Sequence, residues 1–458
     1  MTTSPMTSDL SRGADVLDSL DRRHLLHPHQ TPIRPSRRII VKGKGVNVWD
    51  TEGNEFLDAM GGGVWRGQVG HGRPELAAAA AAQTEKLEYF SCWREYSNER
   101  AVELAAKLAS LSPGDLNKVF FTNGGSEGTD TAIKIARRYF HNIGQPERTW
   151  IIGRQLGYHG CTLGSGSVTG FDDMQYGVGP VLPNIEKVTP PMPYHQEFYN
   201  GQDITDFLIT ELEQTIERIG PQRIAAMIGE PILGGGGVVA PPPDYWPRVR
   251  RLLSEHGILL IADEVITGYG RIGAWFVSES MGMDADIIIT AKGISSGYAP
   301  LGAVLIRDDI GEAIANGESH FFHGHTYFGH PVACAVALAN LAIIEDEGLR
   351  ANAVSIGKWF REGLAPALDL PAVGDVRVEG AMVGVELVAD KTTREGMPFE
   401  AVLSVVDEVQ DAHGVLLRDY GPTLVMGPSY IFTEEQAARA CRAVVEVLSR
   451  LDASGKLA

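Results

Sequence analysis

The sequence predicts an α/β fold, with one large unit built on a mostly parallel sheet flanked by helices and a smaller α+β unit beside it. Three observations carry this. Across residues 119–304 short apolar runs alternate with stretches of helical spacing. The runs at 258–262 and 287–290 are continuous rather than alternating, which suits strands covered on both faces. A chain of 458 residues also exceeds one ordinary core, so a second unit or an obligate oligomer is expected.

The elements follow in order. Residues 1–14 read as loosely attached, and the polar stretch 1–12 has no apolar centre of the kind a signal peptide needs. Over 38–60, β-prone pieces (Ile39-Ile40-Val41, Val46 to Trp49, Phe56-Leu57) alternate with glycine and the turn Asp50-Thr51-Glu52-Gly53, predicting a small antiparallel meander. Helices are expected at 74–87, which is alanine-rich, and at 100–111, which ends at Ser112-Pro113-Gly114. Strands are expected at 119–121, 149–152, 224–228, 258–262, 287–290 and 303–306, followed by a long helix over 331–345. Residues 350–458 mix helices with short strands at 382–386 and 423–426. The division expected is 1–67, a segment contributing to the small unit; 68–345, the large unit; and 346–458, the rest of the small unit.

Composition narrows the function. Lys+Arg of 40 against Asp+Glu of 58 leaves a net charge of −18, which argues against a general nucleic-acid or anionic-membrane binder. Cys92, Cys161, Cys334 and Cys441 have no paired metal spacing and are too few for a disulfide scaffold, so a reducing cytoplasm is expected. The longest apolar runs are of strand length, short of a membrane span.

Two groups carry the chemistry. Lys292 follows the strand Ile287-Ile288-Ile289-Thr290 and precedes a glycine-rich, uncharged stretch, an unlikely address for a solvated surface lysine. Asp263 ends the run Leu259-Leu260-Ile261-Ala262. In open α/β sheets ligands lie beyond the carboxyl ends of the strands, so an amine and a carboxylate both arrive at the ligand. The pair fits pyridoxal phosphate: the lysine as Schiff-base partner, the aspartate keeping the ring nitrogen protonated. Taken alone, a strand-end aspartate is as often a structural carboxylate. A phosphate would need a helix start, and Asn123-Gly124-Gly125-Ser126-Glu127 supplies one ahead of the helical stretch 132–140. Two decoys are set aside. Gly268-Tyr269-Gly270-Arg271-Ile272-Gly273 matches a dinucleotide pattern but stands apart from its strand and no long helix follows. His320, His323, His325 and His330 lack metal-ligand spacing, so no metal is expected.

At these residues the chain resembles the class III (omega) aminotransferases, pyridoxal-phosphate enzymes of fold type I. The likeness runs from about His27 to Ser449. It rests on Asn123 to Glu127, Tyr158-His159-Gly160, Glu230-Pro231, Asp263-Glu264-Val265 through Gly273, Lys292-Gly293, Pro300 to Ala303, His325-Thr326 and Gly329-His330-Pro331. In general look it is similar to amine:pyruvate and β-alanine:pyruvate members. The resemblance implies that Lys292 forms the Schiff base and Asp263 pairs with the pyridine nitrogen. Val265 would pack under the ring, Tyr158 would stack on its other face, and His159 and Glu230 would stand nearby. Gly125 and Ser126 would hold the phosphate. Thr326 would reach the phosphate of a partner subunit, making a homodimer obligatory. Trp65 and Trp93 would line the substrate pocket, and Arg418 would pair with the acceptor's carboxylate.

The sequence also departs from the family. Gly124-Gly125-Ser126 stands for the usual Ser-Gly-Ser, Gly128-Thr129-Asp130 for Ala-Asn-Glu, and Cys161 stands where ornithine- and GABA-type members often carry arginine. The activity implied is ping-pong transfer of an amino group from a primary amine or ω-amino acid to a keto acid, pyruvate foremost. Epimerase, aminomutase and decarboxylase chemistry would use the same cofactor residues. A non-catalytic binding protein would be expected to have lost Lys292 or Asp263.

Overall fold

A computed structural model describes residues 13–28, 37–317 and 319–457. Most of the loosely attached stretch expected at 1–14 lies outside these residues; Ala14 already begins a helix, Ala14–His24.

The N-terminal meander forms as β1 (Ile40–Lys44), β2 (Asn47–Asp50) and β3 (Glu55–Asp58), paired antiparallel in that order. The helices Pro74–Leu87 and Glu99–Leu111 follow; Asn98 caps the second through a bond from the Ala101 amide. Seven strands then build the central sheet: β4 (Lys118–Thr122), β5 (Trp150–Arg154), β6 (Ile185–Val188), β7 (Ile224–Gly229), β8 (Leu259–Asp263), β9 (Ile287–Thr290) and β10 (Gly302–Ile306). Their order across the sheet is β4-β10-β9-β8-β7-β5-β6. Strands β5 to β9 are mutually parallel, while β10 runs antiparallel to both its neighbours. Strand β4 therefore points the same way as β9. The expected mostly parallel sheet is present, and every residue of β7, β8, β9 and β10 is buried, as strands covered on both faces must be. Strand β6 was not expected: its sequence Ile-Glu-Lys-Val has only two apolar residues because it is an edge strand.

The helix Pro331–Asp346 leads into the C-terminal part. There β11 (Val373–Glu379), β12 (Met382–Asp390), β13 (Glu395–Gly396), β14 (Val415–Leu416), β15 (Arg418–Tyr420) and β16 (Thr423–Met426) form. Strands β11, β12, β16 and β15 pair antiparallel, and β14 instead joins β3 in parallel, Val415 opposite Leu57. One hydrophobic core holds Val46, Leu57 and Val69 together with Val383, Val406 and Val444. The meander and the C-terminal part thus fold as one packed body against the large sheet.

Candidate active site

The sheet directs five chain segments to one edge. Strands β4, β5, β7, β8 and β9 all end there; Asp263 is the last residue of β8, and just beyond the other four stand Gly125, Tyr158, Glu230 and Lys292. They surround a cavity of about 350 Å³ whose wall also includes Ser126.

Lys292 opens a short turn, Lys292–Ile294, with φ at +39°. A side chain other than glycine pays roughly 1–2 kcal/mol for such a left-handed backbone, so the surrounding packing must impose it. Enclosure by protein pushes the Lys292 ammonium down to about 8, against the pull of Asp263 and Glu230 and with the help of Arg271. An appreciable fraction of this amine is neutral and nucleophilic near neutral pH.

Asp263 is 4% exposed. Its Oδ1 accepts the Val265 amide at 3.1 Å, and its Oδ2 lies 2.7 Å from Nδ1 of His159. A carboxylate only accepts, so Nδ1 carries the proton and donates. The buried Nε2 of His159 then has no partner. Glu230, at the end of β7, accepts the Tyr158 amide at 2.9 Å and the Gly234 amide at 2.8 Å. Burial nevertheless raises its pKa, with Asp263 adding to the effect and His159 opposing it. Tyr158 is pushed up to about 12, mainly by burial, and stays a neutral phenol.

The opposite end of the cavity is a helix start. The helix Gly125–Asn142 has no side chain capping its N-terminus, so its first amides point into the cavity unclaimed by a cap. A Cβ on Gly125 would stand 3.1 Å from both methyls of Val265, which closes the floor between helix and strand. The Ser126 hydroxyl accepts the Cys161 amide at 3.2 Å, and Thr129 donates to the His159 carbonyl at 2.8 Å. Helix and Tyr158-His159-Gly160 loop are therefore one assembly. Open amides, a hydroxyl and the positive end of an 18-residue helix suit a phosphate.

The other candidates stand elsewhere. Trp65 is not on the cavity wall: it is wholly buried among Met60, Ile232, Ile266 and Met382, and the residue after it, Arg66, lines the cavity instead. Trp93 is 46% exposed beside Gly324, and Thr326 offers its carbonyl to the Tyr89 hydroxyl at 2.6 Å; neither lines the cavity of its own chain. Arg418 on β15 donates to the Gly63 carbonyl at 3.1 Å and lies over Tyr420. The Gly268 to Gly273 stretch is a joint rather than a nucleotide loop. Its Arg271 is buried and donates to the carbonyls of Trp65 (2.9 Å), Pro428 (2.8 Å) and Ala381 (3.3 Å). His323 stacks on Phe120 and meets the Thr131 hydroxyl at 2.8 Å, as a packed loop histidine does. Sequence reasoning missed Arg66, whose only signal was its place after Trp65, and Arg271, whose partners are far away in the chain.

Over residues 30–448 the chain matches the aminotransferase class-III family. It belongs to that family. This class III aminotransferase is 37% identical to the putrescine–pyruvate aminotransferase of Pseudomonas aeruginosa, over 91% of this chain and 92% of the relative. Its backbone superposes with a TM-score of 0.91 on an (S)-enantioselective omega-transaminase from Thermomicrobium roseum, at 41% identity, covering 94% of this chain and 98% of that one. An amine transaminase from an uncultivated Pseudomonas species, solved with pyridoxal phosphate bound, gives 0.89 at 37% identity, covering 92% and 97%. Class III aminotransferases depend on pyridoxal phosphate, and the fold is the expected fold type I.

Proposed function

We propose that this aminotransferase moves an amino group from a primary amine or ω-amino acid to a keto acid, pyruvate foremost, in two half-reactions at one site. The observation that carries the reading is the convergence of a depressed lysine, a buried carboxylate and an uncapped helix start on one cavity. The similarity to a putrescine–pyruvate enzyme supports the substrate class.

The residues fit the cofactor end for end. Lys292 would hold its aldehyde carbon, Asp263 its ring nitrogen, and Gly125 and Ser126 its phosphate, with Val265 and Tyr158 on the two ring faces. When bound, the cofactor supplies an electron sink for the carbon that loses its proton. His159 keeps Asp263 oriented through the 2.7 Å contact, and Glu230 braces the Tyr158 backbone. The Lys292 amine would hold and move the substrate's proton at Nζ. Its lowered pKa suits both taking and giving that proton. Arg418 would pair with the acceptor's carboxylate through a fork of two parallel bonds, after leaving the Gly63 carbonyl.

We further propose that the enzyme is a homodimer in which Thr326 reaches the partner's phosphate site and Trp93 the partner's substrate pocket. Phe90, Trp93, Tyr96 and Tyr327 are each about half exposed on the single chain, an aromatic face suited to burial between copies. Four free cysteines support a reducing, cytoplasmic setting; among the described residues no helix is long and apolar enough to cross a membrane.

Putrescine added alone to the loaded enzyme should give its aldehyde product in an amount equal to the sites and then stop. Pyruvate added next should yield a matching amount of alanine. Inversion of a substrate centre or release of carbon dioxide, with no net amino transfer, would replace the proposal by an epimerase or a decarboxylase.

A further inference from the structure

The turn at Gly61–Trp65 decides which side chain meets the substrate. Gly61, Gly62 and Gly63 have φ of +55°, +74° and +85°, and Trp65 itself has +66°. The amides of Arg66 and Gly67 both bond to the Gly61 carbonyl at 2.9 Å, closing an unusually wide turn. Its widening turns the indole away from the cavity. The ring presses on Gly427, where a Cβ would come within 2.3 Å of it, and Arg271 clamps the Trp65 carbonyl. The next side chain must then face the other way. Arg66 is exposed and lines the same cavity as Lys292, Tyr158 and Glu230. Its stem crosses Gly297, where φ is +78° and a Cβ would stand 2.8 Å from Arg66 Cδ. That glycine keeps the path of the arginine clear.

No carboxylate of the described residues lies in ion-pair range of Arg66, and its guanidinium makes none of the side-chain hydrogen bonds that occupy the neighbouring arginines. Arg73 has Glu347, Arg377 has Glu386, Arg418 has the Gly63 carbonyl, and Arg271 has three carbonyls. Arg66 is therefore a cation left available at the mouth of an amine-binding cavity. An aromatic at this wall would favour apolar amines. A guanidinium favours a planar anion in fork geometry.

We propose that Arg66 is a specificity-determining residue that pairs with the carboxylate of an ω-amino acid donor, a second carboxylate position distinct from the one assigned to Arg418. The proposal rests on the aminotransferase reading above. It makes ω-amino acids better donors than uncharged amines of the same shape.

The test compares 4-aminobutyrate with 4-methylpentylamine, an uncharged donor of similar shape, at saturating pyruvate, in the wild type, Arg66→Gln, Arg66→Lys and Arg418→Gln. Arg66→Gln should lower kcat/KM for 4-aminobutyrate by about 10- to 100-fold, chiefly through KM, and leave the hydrocarbon amine within about threefold. Arg66→Lys should recover part of the loss. Equal losses on both donors, no loss on 4-aminobutyrate, a wild type with no preference between the two, or selective loss confined to Arg418→Gln would each overturn it. Failure here with amine turnover intact counts against Arg66 alone; failure of every donor counts against the aminotransferase reading.

Discussion

Asp263 and Lys292 stand at the ends of neighbouring parallel strands, whereas Arg66 and Arg418 stand on either side of a glycine turn. The first pair is fixed by sheet register: Asp263 pairs directly across from Ile289, and Lys292 follows three residues later. Arg66 is placed by the backbone angles of the glycine turn, whereas Arg418 stands on β15 opposite Val425 and meets that turn through the Gly63 carbonyl. A shift of one residue in the sheet would displace both chemical groups at once and turn buried faces outward. A shift in the glycine turn would exchange Arg66 for Trp65 at the wall and empty the small cluster around Met60 and Met382, while the large sheet keeps its register. The proposed chemistry thus depends on sheet register, and the proposed donor preference on a local turn.

The contrast can be pressed from its strongest side first. Lys292→Ala should reduce steady-state turnover by about 10⁴-fold while circular dichroism stays that of the folded enzyme. Turnover near that of the parent would remove the strand-end lysine from the chemistry. Trp65→Ala should next lower stability by about 3–5 kcal/mol, read as a shift in unfolding midpoint, because it empties a wholly buried site. If instead stability held and the range of accepted amines changed, Trp65 would belong to the pocket wall and the reading of the turn would fail.

Asp263→Asn should lower kcat/KM by about 100-fold, since the amide lacks the negative charge proposed to face the ring nitrogen and keeps only one oxygen to accept from His159 and the Val265 amide. The smallest effect is on the pH profile of cofactor loading. Imine formation needs neutral Lys292, and its pKa is lowered to about 8, so the neutral fraction rises as pH climbs through that value. Loading of the emptied enzyme should speed up about tenfold from about pH 7 to about pH 9 and then level off; an ordinary lysine would give about a hundredfold rise without levelling. The same depression has a stability sign. Above pH 8 and below the usual lysine value the unfolded chain binds more protons, so stability rises with pH in that window.

What the sequence made legible follows the same divide. Continuous apolar runs marked β7, β8, β9 and β10; Lys292 and Asp263, singled out beside such runs, line one cavity with Glu230, which the family resemblance supplied. Strand β11 was hidden because Val373–Glu379 intersperses glycine, aspartate and arginine among its valines and pairs only antiparallel. Trp65 was expected at the pocket from the family resemblance; the left-handed angle at Trp65 that redirects it is invisible in the letters. His159 was expected beside the cofactor, and its observed partner is Asp263, a contact across 104 positions that no local pattern encodes. Arg271 hid inside a misleading glycine motif for the same reason.

Strand β10 has a further consequence. It lies between β4, which leads to the helix start, and β9, which leads to Lys292, and Gly302 at its head is so tightly held that a Cβ would stand 2.6 Å from Thr122 Oγ1 and 3.0 Å from the Thr290 carbonyl. The two proposed grips on the coenzyme are stitched to a common thread. Vitamin shortage should therefore leave an empty but ready vessel that refills without refolding, and methyl added at Gly302 should spoil the refilling by prying those grips apart.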